Sequence, residues 1–129
     1  MIILDTHIWI RWQSEPEGLP IWVRREIASA QSFAISAISC WELGQLVLRK
    51  RVRLNMTLAA WIDEATGNTV GCLPVGREIA QLAAELPEHH RDPADRLIIA
   101  TAIAGNVRLL SLDTAFPAYV KNGLQLIKP

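Results

Sequence analysis

The sequence predicts an α/β fold, a five-stranded, mainly parallel sheet with helices on both faces. Three observations predict it. Short apolar runs of strand length alternate along the chain with amphipathic stretches of helix length. The opening run is apolar at consecutive rather than alternate positions, the mark of a strand covered on both faces. One stretch, Ala94 to Ala104, is apolar nearly all round, so it must pack deep in a layered domain.

Met1-Ile2-Ile3-Leu4 is the first strand and ends at Asp5-Thr6, a pair that commonly turns the chain through side-chain to backbone bonds. Pro20 opens a helical stretch to about Ala30. Ser32 to Ser36 is the second strand, and the helix after it sets Leu43, Leu46 and Val47 on one side. The Arg49-Lys50-Arg51-Val52-Arg53 cluster lies at that helix's end. Cations there suit the negative end of a helix macrodipole, and phosphate contact is the other reading. Thr57 to Thr66 and Arg77 to Leu86 form two more amphipathic helices, with a third strand over Val70 to Pro74 between them. Asp92 caps the deep helix, Pro93 takes its first position and Gly105-Asn106 stops it. Val107 to Leu112 is the fourth strand, ending at Asp113, and Leu124 to Ile127 a short fifth at an edge.

With 129 residues, half of them hydrophobic, the chain is expected to form a single domain over 1–129 and to bury a core without structural metal or disulfides. Disorder and collagen-like repeats are excluded. Lys+Arg and Asp+Glu both number 13, so the total charge argues no broad grip on nucleic acid or membrane. The N-terminus has no basic flank or cleavage site, and a cytoplasmic location is expected. Cys40 and Cys72 sit in apolar settings and are expected to be buried free thiols. Of five tryptophans, Trp9 and Trp12 share a helical face. Core packing is one reading of that pair, and a groove for a partner's amphipathic helix the other.

Ligands in open α/β sheets bind beyond the carboxyl ends of the strands, where strand order reverses. Four acids map to that edge. Asp5 ends the first strand, Glu42 is placed in the first turn of the helix after the second, Asp95 starts the deep helix and Asp113 ends the fourth strand. Each has a local explanation. Ser39 to Glu42 matches a capping box, Asp95 a capping partner, and Asp5 and Asp113 each precede Thr. Gathered at one edge, however, four carboxylates raise one another's pKa unless cations bind among them. All-oxygen ligands select Mg²⁺ or Mn²⁺ over Zn²⁺, and His7, His89 and His90 are poor zinc candidates, with no Cys or His at metal-site spacing. Divalent ions in such a cluster suit phosphodiester cleavage by an activated water. Neutralising four of the 13 acids leaves 9 against 13 bases, and Arg49, Lys50, Arg51 and Arg53 then form a local patch for a phosphate backbone.

These residues resemble the PIN-domain ribonucleases, and among them the VapC-type toxins of type II toxin-antitoxin pairs. Met1 to His7 is similar to the family's opening strand and first acid, and Ile35 to Leu43 to the segment bearing its glutamate. His90 to Ala102, with Asp92-Pro93-Ala94-Asp95-Arg96, is the most specific stretch, and Leu110 to Asp113 resembles the last, with Ser111 where the family often has Thr. The resemblance implies a PIN-like fold and a Mg²⁺-dependent endoribonuclease, Mn²⁺ able to substitute, that leaves a 5′-phosphate and a 3′-hydroxyl. It implies that Asp5, Glu42, Asp95 and Asp113 hold the metal, with Thr6 and Ser111 as hydroxyl helpers. Asp92 either caps its helix, binds a second metal, or does both; Arg96 meets a phosphate or a partner. A homodimer and an inhibitory antitoxin are also implied. The alternative is a PIN-like module that binds RNA or protein without cutting. A phospho-acceptor receiver domain would need an acidic pair after the first strand and an Asp ending the third, and has neither here.

Overall fold

Among the described residues four parallel strands make one sheet: β1 (Ile2–Leu4), β2 (Phe33–Ser36), β3 (Val70–Leu73) and β4 (Arg108–Leu110), in the order β3-β2-β1-β4. The structure, a computed structural model, describes residues 1–67 and 69–129. Among the described residues six α-helices connect the strands: α1 (Thr6–Ser14), α2 (Ile21–Ser29), α3 (Ala37–Leu48), α4 (Leu58–Ala65), α5 (Arg77–Glu85) and α6 (Pro93–Gly105).

The sheet obeys a period of two. Ile2, Leu4, Ile35, Val70 and Leu110 face one side, against apolar residues of α1 to α4. Ile3, Ala34 and Leu109 face the other, against α5, α6 and a 3₁₀ segment, Phe116–Asn122, that adds Phe116 and Tyr119. Both faces are covered, as the continuous apolar reading of the first strand requires. Within α6, Ile98 and Ile99 are fully buried, and truncating either to Ala would cost about 2–5 kcal/mol. Asp92 caps α6, its Oδ1 accepting from Ala94 N at 3.0 Å, and Asn106 ends it at φ 52°.

Two expectations are corrected, and one open alternative is decided. The fifth strand does not form: Leu126 makes only an isolated parallel bridge to Leu109, through Leu109 N to Gln125 O at 2.8 Å and Ile127 N to Leu109 O at 3.0 Å. β4 has three residues, and the outer two turn their backbone groups toward β1, so Leu109 alone offers a pair to the free edge. Cys72 is exposed on the edge strand β3; only Cys40 is half-buried, where burial pushes its thiol up to about 11. Trp9 is fully buried, donates to Ala65 O at 3.0 Å and stacks edge-on against Trp61, so it belongs to the core and not to a partner groove. Trp12 packs on Phe33 with ring centroids 4.8 Å apart.

Candidate metal centre

β1 and β4 are neighbours, yet the chain reaches β4 only after laying β2 and β3 on the other side of β1, so strand order reverses at the β1/β4 crevice. All four strands run parallel, so their carboxyl ends share one edge. Asp5 follows β1 there and is the N-cap of α1, its backbone N–H bonded to Leu110 O across the crevice. Ser111 and Asp113 follow β4. The first turn of α6 brings Asp95, and α3 brings Glu42.

The predicted quartet converges, with one change of position. α3 begins directly at the end of β2: Ser36 is its N-cap, accepting from Ile38 N at 3.3 Å. Glu42 therefore lies in the second turn, not the first, and the capping box from Ser39 does not form. Ser39 Oγ instead donates to Thr6 Oγ1 at 2.7 Å, and Thr6 Oγ1 donates to Glu42 Oε1. The buried Thr6 hydroxyl thus aims Glu42, and Ser39 is a support that the sequence reading had assigned to a cap. Ser111 Oγ likewise donates to Asp5 Oδ2 at 2.7 Å, while Asp5 Oδ1 accepts from Thr6 N at 2.8 Å. Two of Asp5's acceptor positions remain. Asp113 keeps its turn role through Oδ1, which accepts from Ala115 N at 2.8 Å, and its other oxygen faces the cluster.

Two overlapping groups place one ligand atom each within 4.8 Å of one another: His90, Asp95 and Asp113, and Glu42, Asp92 and Asp95. Asp95 is common to both. Asp92 caps α6 and also stands in the second group, so its two sequence readings are compatible.

His90 is the residue the sequence reading set aside. Its Nδ1 accepts from Asp92 N at 3.2 Å, so the ring proton sits on Nε2, which donates to Asp95 Oδ2 at 2.8 Å and to Asp113 Oδ2 at 3.1 Å. The imidazole N–H thus bridges Asp95 and Asp113. The available signal was its place two residues before a helix cap, not any ligand spacing. His89 points away and stacks on Tyr119. Arg96 is also reassigned. Its guanidinium donates to the carbonyls of Ala83 (2.7 Å), Leu86 (2.6 Å), Pro87 (2.9 Å) and His90 (3.3 Å), tying the 86–90 loop to α6 and holding His90 in place.

Burial is the main force on the acids. It pushes Asp95 up to about 8, with the charges of Asp5, Asp92, Glu42 and Asp113 adding to it. Burial also raises Asp5 and Glu42; the Ser111 and Thr6 hydrogen bonds, respectively, oppose it. Among the described residues no Lys or Arg nitrogen lies within 4.0 Å of Asp5, Glu42, Asp92, Asp95 or Asp113. Carboxylate oxygens without a Lys or Arg partner fit a hard divalent cation by donor chemistry and by charge. Of the basic cluster, Arg49 and Arg51 line a groove with Glu42 and Asp92, whereas Lys50 and Arg53 line a separate one with Val47, Val52 and Leu54.

Comparisons with known proteins identify the family and the fold. The sequence pattern of the PIN domain family matches residues 2–122. Ribonuclease VapC22 of Mycobacterium tuberculosis is 36% identical over 115 residues, which cover 87% of this chain and 86% of that protein. Among solved structures, VapBC-1 from nontypeable Haemophilus influenzae superposes with a TM-score of 0.71 at 18% identity, covering 99% of this chain and 98% of that one. Mycobacterium tuberculosis VapC20, described as a sarcin-ricin loop cleaving toxin, superposes with a TM-score of 0.70 at 17% identity over the whole of both chains. VapBC2 from Rickettsia felis, bound to a DNA fragment from its promoter, gives 0.69 at 20% identity and 98% coverage of each chain. At these identities the superpositions establish the shared fold.

Proposed function

Since the chain belongs to the PIN domain family, and within it to the VapC group, we propose that it is a Mg²⁺-dependent endoribonuclease, the toxin of a type II toxin-antitoxin pair. The observation that carries this reading is the set of five carboxylates at the β1/β4 crevice without a Lys or Arg among the described residues to balance them. The relative named as a ribonuclease and the structural neighbour named as a loop-cleaving toxin support the same chemistry. The toxin-antitoxin complexes among the neighbours support a cognate antitoxin as inhibitor. In this reading the chain acts in the cytoplasm, as a homodimer; among the described residues no helix is long and apolar enough to cross a membrane.

Asp95, Asp113, Glu42 and Asp5 would hold the ion, with Asp92 beside them. Once bound, Mg²⁺ supplies charge for the scissile phosphate and activates a water at neutral pH. The protein's own residues set that centre in advance. Thr6 aims Glu42, Ser111 aims Asp5, and the His90 N–H keeps Asp95 and Asp113 together. Arg96 fixes the loop that carries His90. Such support around ligands is commonly worth 10–100-fold in metal affinity or activity.

The test is cleavage of a defined RNA by the purified chain. Cleavage is expected with Mg²⁺ and none with EDTA, and Asp5→Asn should abolish it while circular dichroism stays that of the wild type. RNA left intact by a folded wild-type protein with Mg²⁺ or Mn²⁺ would favour the non-cleaving binding module.

A further inference from the structure

Trp41 sits one residue before Glu42 on α3, and 57% of its surface is exposed. It belongs to neither apolar core. Trp41, Gln45 and Arg49 recur at intervals of four, so they form one stripe of the helix. Together with Arg51 they line a groove of about 390 Å³ that has Glu42 and Asp92 at its other end. From Glu42 to Arg49 the helix advances about 10 Å.

The turn after α3 shows why both arginines reach this groove. Arg51 N donates to Leu46 O at 2.8 Å and Lys50 N to Val47 O at 3.0 Å, the paired bonds of a Schellman end, with Lys50 in the left-handed region at φ 60°. Glycine is the usual residue there, and a lysine tolerates it at a cost. The turn folds the chain back so that Arg51 joins Arg49. These backbone bonds already satisfy the Leu46 and Val47 carbonyls, so the cations are not needed to cap them. Among the described residues neither arginine has a carboxylate within 4.0 Å.

A groove acidic at one end and basic at the other, with an exposed indole on its wall, suits a polyanion bearing flat apolar bases. Such a polyanion would set its reacting phosphate at the acidic end, where a bound cation would offset the charge, and its neighbouring phosphates at the arginines. Apart from Trp41, Leu46 and Pro93 the walls are polar or charged, which disfavours an amphipathic protein helix. We propose that Trp41 is the stacking platform for one unpaired base of the RNA, and that Arg49 and Arg51 hold the phosphates beside it. The assignment rests on the ribonuclease reading for its substrate class. It makes α3 a helix with two duties, Glu42 serving the centre and Trp41 choosing unpaired nucleotides.

The experiment measures binding of a fluorescein-labelled single-stranded RNA by anisotropy with Mg²⁺ in an Asp95→Asn background, the RNA being checked on a gel for integrity. Trp41→Ala is expected to weaken binding about 10-fold and Trp41→Tyr by less than about 2-fold, because a ring face is retained. Replacing both Arg49 and Arg51 by Gln should flatten the slope of log affinity against log salt by about 1.4. A fully paired RNA duplex should bind no differently to Trp41→Ala and to its Trp41 parent. Trp41→Ala binding the single strand as tightly as its parent would overturn the proposal, as would an unchanged salt slope or a weakened antitoxin complex with RNA affinity intact. Cleavage by the wild type is read separately. RNA bound through Trp41 but never cut sinks the ribonuclease reading alone, and RNA cut with no effect of Trp41 sinks this assignment alone.

Discussion

The acidic crevice and the basic turn at residues 49–53 both gather like charges, but in opposite surroundings. In the crevice Asp5 and Asp95 are buried, and Asp95 is held near pH 8 by burial and by its neighbours. In the turn Arg49, Lys50, Arg51 and Arg53 are all exposed. Solvent screens the second group, so its strain lies in the backbone at Lys50 and not in the charges. The crevice is the stronger functional signal because folding alone gains nothing from it. Its repulsion is relieved only by protons or by a bound cation, whereas exposed cations cost little and argue for a ligand only through geometry.

Breaking the crevice should have the largest effect. Asp95→Asn, at the residue shared by both ligand groups, should lower RNA cleavage by about 10³-fold or more while raising the stability of the metal-free protein, read as initial rate and thermal midpoint. A smaller effect follows from pH. Between the ordinary 3.8 of an aspartate and about 8, the folded protein keeps a proton on Asp95 that the unfolded chain has released. That contribution is complete below 3.8, declines as pH rises and is gone above about 8. The metal-free protein should therefore melt about 5 °C or more lower at pH 8 than at pH 5, and Mg²⁺ should recover the loss at pH 8. A flat profile for the wild type, or the same slope in Asp95→Asn, would show that the crevice is not strained as described.

Thr6→Val tests the support rather than the ligands. It removes the donor to Glu42 and the acceptor of the buried Ser39 hydroxyl, and should reduce cleavage 10–100-fold while lowering stability by about 1–3 kcal/mol. The basic turn should answer more weakly. Lys50→Gly relieves a left-handed residue and should stabilise the protein by about 1 kcal/mol in chemical denaturation. It should leave cleavage within about 2-fold, since Arg49 and Arg51 keep their places. A loss of stability there would mean that Lys50 is not strained.

Local patterns were readable where one physical force acts alone. The apolar run Met1 to Leu4, the Asp92-Pro93 helix start and the Gly105-Asn106 stop appear where the sequence placed them, because burial and capping act within a few residues. Readings failed where a distant group competed. Ser39 could cap a helix or bond to Thr6, and the second wins because Ser36 already starts α3. Leu124 to Ile127 has the composition of a strand, but only Leu109 has backbone groups free to pair with it. His90 had no ligand spacing to reveal it, and Arg96 no sign that four carbonyls would surround it.

By itself the sequence determined the layered class, the order of the four strands that form, and the four acids at one sheet edge, since hydrophobic period and residue type are written in the chain; it did not show α1. Tertiary structure alone decided that strand order reverses between β1 and β4, that Asp95 joins two ligand groups, that His90 lies between two carboxylates, and that Trp41 shares a groove with Arg49 and Arg51. Those facts depend on side chains that meet only after separate elements pack, and no local interaction carries that information.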